Sequence, residues 1–256
     1  MKQIYVCVKH VPDSAANITI VDHLQIKEDI AFLLNPYDEH ALTEAVKIKR
    51  QFDGAQVIAL CLGKKDAEKT IRSAMAMGAD KGVLIETGAI PDSIRTARAL
   101  KSAMDRFGAP DIIFTGKESI DAEGMQTMFR IGALYGFPVA NNVVRVEIQD
   151  KTAVVDSEFS GGIINTYGMS LPCVMGAGRG LNTPKYPTFK DVMASKRKPV
   201  DTVRLDELEI SGSDSGIECI RLEPLTRKRD PKEIKGDKKT IAQKIVTILK
   251  EEAKVI

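Results

Sequence analysis

Residues 57–85 read VIALCLGKKDAEKTIRSAMAMGADKGVLI, and this stretch decides the fold. Val57 to Leu62 is a continuous apolar run closed by Gly63, the pattern of a strand covered on both faces. Ala67, Ile71, Ala74, Met75 and Gly78 then recur at helical spacing, and Val83 to Ile85 is apolar again. Strand, helix and strand in that order form a βαβ unit, whose two strands run parallel in one sheet.

The same alternation extends in both directions. Upstream, Ile4 to Val8 is a buried strand, and Asn35-Pro36 opens a helix that carries Ala41, Leu42, Ala45, Val46 and Phe52 on its inner face. Asn suits the cap and Pro the first helical position. Downstream, Ile94 to Phe107 is a third helix, and Asp111 to Thr115 a fourth strand closed by Gly116. The expected fold is therefore α/β: a doubly wound parallel sheet with helices on both faces. Ligands of such sheets sit outside the carboxyl ends of the strands. Those ends are residues 9–13, 63–66 and 116–127.

The pattern changes after Pro138. Val143 to Ile148 and Thr152 to Asp156 alternate with period two around Gln149-Asp150-Lys151, which predicts a β-hairpin extension within about 139–170. Pro172 to Met175 reads as a return strand, and the glycine-rich Gly176 to Gly180 as a turn, because Pro184 opposes the helix that a dinucleotide fingerprint requires. From Lys196 the chain is polar and proline-broken up to an amphipathic helix at about Lys239 to Glu252. This divides the chain into an α/β domain, 1–195, and an extended arm with a terminal helix, 196–256, too polar to fold alone.

Composition excludes several classes. The 256 residues carry 37 basic and 35 acidic side chains, a net charge of +2, so neither nucleic acid nor a membrane surface is an expected partner. No apolar run approaches the roughly 20 residues of a membrane span. Cys7, Cys61, Cys173 and Cys219 form no CxxC pair, and His10, His23 and His40 show no ligand spacing, so neither a disulfide framework nor a metal site is predicted. The opening Met1-Lys2-Gln3 before IYVCV is too short for a signal peptide and reads as a first strand. A soluble protein of a reducing compartment is expected: the cytoplasm, or the mitochondrial matrix in a eukaryote.

GKESIDAEGMQT, Gly116 to Thr127, is the leading site candidate. It leaves a strand and enters a helix, where free backbone N–H groups and the helix dipole favour an anion, with Gln126 and Thr127 as side-chain donors. Pattern alone leaves open an ordinary βα loop. It is not a Walker loop, and the sequence suggests no Ser/His/Asp or Cys/His set. Ser160-Gly161-Gly162 matches the loop of ATP pyrophosphatases but follows a hairpin rather than the first strand, and reads as a bend.

Four segments together resemble a known family. They are LNPYDEHALTEAVKIK (34–49), TIRSAMAMGAD (70–80), GKESID (116–121) and LNTPKYPTFKDVMASKRK (181–198), with EEAKVI at the end. In this order they resemble the beta subunit of electron-transfer flavoproteins. The resemblance implies a heterodimer with an alpha subunit that holds the redox FAD, accepting electrons from an acyl-CoA dehydrogenase-type donor and passing them to an acceptor such as a quinone oxidoreductase. It implies an adenine nucleotide in this chain, AMP in most members and a second FAD in electron-bifurcating ones. The residues carried over are Cys7, Asn35, Pro36, Tyr37, Asp38, Leu62, Gly116, Lys117, Glu118, Ser119, Ile120, Asp121, Gly124, Met125, Gln126 and Thr127, with Tyr37 approaching the alpha-subunit flavin. Partner recognition maps to the 181–198 loop, through Leu181, Tyr186 and Phe189, Phe189 standing where the family usually has an anchoring leucine. Gln126-Thr127 follows the AMP type, whereas Asp92-Ser93-Ile94-Arg95-Thr96 half-matches the bifurcating pattern, so AMP is the favoured ligand and FAD the alternative.

Overall fold

The computed structural model of the chain describes residues 1–210, 217, 219–225 and 231–256. In chain order its elements are β1 (Gln3–Cys7), β2 (His10–Pro12), β3 (Ile20–Val21), β4 (Gln25–Ile26), β5 (Phe32–Leu34), α1 (Pro36–Lys49), β6 (Gln56–Gly63), α2 (Glu68–Ala76), β7 (Lys81–Glu86), α3 (Ser93–Phe107), β8 (Ile112–Gly116) and α4 (Thr127–Tyr135). There follow β9 (Val139–Gln149), β10 (Thr152–Glu158), β11 (Ile164–Ser170), β12 (Cys173–Ala177), α5 (Phe189–Ser195), β13 (Val200–Arg204) and α6 (Lys238–Thr247).

Nine strands form one sheet in the order β11-β10-β9-β12-β8-β1-β6-β7-β13. From β9 to β13 every pairing is parallel; β10 alone runs against its two neighbours. Side chains of the central strands alternate between two cores, which is why those strands read as unbroken apolar runs. Ile4, Val6, Val57, Ala59, Ile112 and Phe114 join α1 and α2 on one face. Tyr5, Cys7, Ile58, Leu60 and Ile113 join α3 and α4 on the other. The expected doubly wound α/β architecture is present.

The chain starts at β1, builds outward through β6 and β7, then crosses back to place β8 on the other side of β1. The β1/β8 boundary is thus the topological switch point, where the loops leaving adjacent strands diverge and open a crevice.

Three sequence readings are corrected. The predicted hairpin is a three-stranded meander, because β11 pairs with β10 over Ile164 to Ser170, a polar, glycine-containing run without a strand pattern. The return strand β12 inserts in parallel between β8 and β9, with Gly176 and Ala177 as part of it, so the turn begins only at Gly178. The α/β domain does not end at residue 195. Val200 to Arg204 adds β13 to the sheet edge beside β7, and Leu208 is buried against the α3 core. An edge strand presents one face to solvent, which is why this segment reads as polar. The terminal helix stands where the sequence placed it, as α6 over Lys238 to Thr247 continued by a single wider turn over Ile248 to Glu252. Positions 211–216, 218 and 226–230 of the predicted arm lie outside the described residues. No helix among the described residues is long and apolar enough to cross a membrane.

Candidate functional site

The switch-point crevice is a cavity of about 460 Å³. Most residues carried over from the sequence line it: Cys7, Asn35, Asp38, Leu62, Gly116, Lys117, Glu118, Ser119, Gly124, Met125, Gln126 and Thr127. Pro36, Tyr37, Ile120 and Asp121 do not.

Asp38 organises the base of the site. It lies in the first turn of α1, 4% exposed. Its Oδ2 accepts from Lys9 N at 2.7 Å; its Oδ1 accepts from Gly116 N at 2.8 Å and Asn35 Nδ2 at 2.9 Å. One carboxylate thus ties the ends of β1 and β8, the two strands that diverge here, to the helix packed over them. Burial pushes the carboxyl up to about 7, against the opposing pull of the Lys9, Asn35 and Gly116 hydrogen bonds and the Lys9 charge.

Asn35 occupies the cap position of α1, yet its side chain makes no cap bond. Its Nδ2 also donates to Glu118 O at 2.9 Å, and its Oδ1 accepts from Ile120 N at 3.2 Å. The amide is spent on fixing the 116–127 loop instead. Gly116 is required there, because a Cβ would stand 2.5 Å from Asp38 Oδ1 and 2.5 Å from Tyr37 Cβ. Lys9 closes the loop from outside: its Nζ donates to both oxygens of Asp121 at 2.7 Å and to Ser119 Oγ at 3.2 Å. Pro36 serves by starting α1. Ile120 and Asp121 serve as struts of the loop.

Two helix N-termini meet at the cavity. The loop reaches α4 through Glu123 and Met125, both at positive φ (48° and 49°), which swing the chain so that Gln126 and Thr127 start the helix at the crevice. Ser93, first residue of α3, donates its hydroxyl to Gln126 Oε1 at 3.3 Å. The cap of α3 is Asp92, whose Oδ1 accepts from Arg95 N at 2.8 Å. First-turn N–H groups lack partners inside their helices, so this corner favours a phosphate or another anion. Val8, Leu62, Leu100 and Met128 supply apolar wall. Burial, together with the charge of Asp38, raises the Cys7 thiol well above its ordinary range, so it stays protonated and acts as wall rather than nucleophile.

Ile90 and Pro91 were not foreseen as cavity residues, Lys9 was placed only at a strand end, and Ser93 and Thr96 were read only as bearing on which nucleotide binds. The Asp92-Ser93 pair before an apolar helical run was the available signal, since it marks a helix start at a strand's carboxyl side. The strand end at Lys9 was legible, but its bonds to Ser119 and Asp121 were not, because those residues lie more than a hundred positions away.

Tyr37, expected beside the alpha-subunit flavin, does not line the cavity. It is 9% exposed, and Lys117 Nζ and Arg179 Cζ each lie 5.2 Å from its ring centroid. In this chain alone the ring offers little open face for a flavin to pack on; the groups around it are cationic. Leu181 is half-buried and packs on the chain's own core, so it roots the 181–198 loop. Tyr186 and Phe189 are 76% and 81% exposed.

The electron transfer flavoprotein domain matches residues 23–208. An electron transfer flavoprotein subunit beta from Dictyostelium discoideum is 31% identical over 98% of both chains. The mitochondrial electron transfer flavoprotein subunit beta of Arabidopsis thaliana is 34% identical over 99% of this chain and 100% of its own. The caffeyl-CoA reductase-Etf complex subunit CarD of Acetobacterium woodii is 28% identical over 84% of this chain and 83% of its own.

Proposed function

Since this chain belongs to the electron transfer flavoprotein family, with beta subunits as its full-length relatives, we propose that it pairs with an alpha subunit and holds AMP in the switch-point cavity. The observation that carries this reading is the meeting of the α3 and α4 N-termini above apolar walls. An adenine nucleotide has an anionic end and a flat apolar base, and the cavity supplies a surface for each. Its volume falls within the roughly 300–1,000 Å³ usual for small-ligand sites. The redox chemistry belongs to an FAD held mainly by the alpha subunit. Residues of this chain bind and position; none acts as a general acid or base. An acyl-CoA dehydrogenase-type donor and a downstream acceptor complete the proposed route.

A second reading, an FAD in place of AMP, is favoured by one observation. The cavity runs past Gln126 to Ile90, Asp92, Ser93 and Thr96, which gives a second phosphate a helix terminus of its own. One preparation tests both readings. Co-expressed with its alpha subunit, the chain should yield a yellow heterodimer that releases AMP on denaturation, one per dimer. Two FAD per dimer would replace the first reading by the second, and no nucleotide in this chain would refute both. A chain lacking residues 231–256 should lose the alpha subunit while keeping its own fold. α6 has no buried residue, and Val246, Val255 and Ile256 are more than half exposed, so this segment gains burial only on a partner.

Phe189 gives a third test. An aromatic ring this exposed gains nothing in water, whereas burial in a partner's pocket contributes about 1.5–3 kcal/mol. Phe189→Ala should slow electron transfer from the donor dehydrogenase tenfold or more at low donor concentration, with flavin content, assembly and melting temperature unchanged. A lowered melting temperature with intact transfer would make the ring structural.

A further inference from the structure

We propose that Asn182, His40, Glu44 and Arg72 are positioning residues that hold the 181–198 loop as a preset strap, so that Phe189 is presented in docking geometry before any partner arrives. The inference rests on the docking role of Phe189 proposed above, and adds the residues that fix where Phe189 stands.

The strap is fastened at both ends. At its start, Asn182 Nδ2 donates to His40 O at 3.0 Å and to Glu44 Oε2 at 3.0 Å. His40 Nδ1 donates back to Asn182 O at 2.9 Å, which places the ring proton on Nδ1. The amide cannot be turned over, because its Oδ1 would then face two acceptors. As it stands, Oδ1 is buried without a partner among the described residues. Glu44 is 1% exposed, a depth at which a carboxylate requires partners, and Lys47 Nζ at 3.0 Å supplies another.

At the far end, one guanidinium nitrogen of Arg72 donates to Ser195 O and Lys198 O, both at 2.7 Å, while Glu68 holds the rest of its fork. Between the fastenings, Thr188 and Asp191 form a reciprocal capping box that starts α5 at Phe189. Tyr186 and Phe189 stand exposed in the middle.

Docking orders whatever is loose, and that entropy is subtracted from affinity. A strap with both ends hydrogen-bonded to α1 and α2 has already lost this freedom. His40 and Glu44 lie two and six residues beyond Asp38 on α1, so the helix that closes the cavity also seats the strap.

Asn182→Asp sets a carboxylate oxygen against the His40 carbonyl and the Glu44 carboxylate, and so releases the first fastening. In the heterodimer, with a purified acyl-CoA dehydrogenase reduced by its acyl-CoA as donor, this variant should raise the donor KM about tenfold at unchanged kcat. Amides of residues 189–195 should exchange faster, with nucleotide content unchanged. Arg72→Gln should do the same from the other end. The double variant E44Q/N182D reverses the donor and acceptor, and should recover part of the lost KM. If Phe189→Ala raises KM and neither fastening variant does, the strap inference fails alone. If Phe189→Ala has no effect either, the docking reading fails and the strap with it. If nucleotide content or kcat falls with KM and the double variant restores nothing, these residues are merely structural and the inference is overturned.

Discussion

Replacing Asp38 by alanine is expected to cost about 3 kcal/mol or more of stability and to empty the cavity. The carboxylate accepts from two backbone N–H groups and one amide, all inside a pocket it fills to 4% exposure. Each buried donor left unpaired costs about 1–3 kcal/mol, and alanine leaves three. Asparagine should be little better, because its NH2 must face a donor on one side. The pH dependence has a fixed sign. The folded-state value, about 7, lies above that of an unfolded aspartate, about 3.9, so the folded protein keeps a proton that the unfolded chain has released. The Asp38 contribution is therefore complete below pH 4 and declines as pH rises through 7. The penalty of Asp38→Ala, measured by urea unfolding, should be larger at pH 5 than at pH 8. A variant as stable as the parent, or a penalty that grows with pH, would contradict this account.

The double variant Gln126→Ala, Thr127→Ala is expected to lose nucleotide by more than a hundredfold in affinity. Both side chains begin α4 at the cavity, and each hydrogen bond to a charged group contributes about 1.5–3 kcal/mol. Losing both exceeds the roughly 2.8 kcal/mol that a factor of a hundred requires. Because a ligand bound only to the native state stabilises it by mass action, the melting temperature should fall too. Added AMP should raise it in stripped parent protein but not in the variant. Calorimetry decides the matter: parent-like affinity in the variant would remove these two residues from the site. The Ser93–Gln126 contact adds a check, since Ser93→Ala should weaken binding less than the double change.

The two expectations differ in how readable they were. Gln126 and Thr127 follow a strand–loop–helix pattern, because an anion site at a helix start is local: sequence order places the donors. Asp38 was reached only through family resemblance. Its importance lies in bonds to Lys9 and Gly116, and nothing in the spacing of those residues announces that they meet. The same contrast separates Phe189 from Asn182. An aromatic residue in a polar, proline-flanked loop is conspicuous, whereas the asparagine that seats the loop acts on residues 138 and 142 positions earlier.

By itself the sequence determined the α/β class, the parallel core and the strand ends that border the cavity. Those properties follow from hydrophobic period and from glycine and proline placement, which act over a few residues. The tertiary structure decided which strand lies beside which. It put β12 inside the sheet and β13 on its edge, and it brought Lys9, Asp38 and Gly116 to one point and Asn182 onto α1. Such pairings are set by global packing and by the need to satisfy buried polar groups, so they are fixed only when the whole sheet closes.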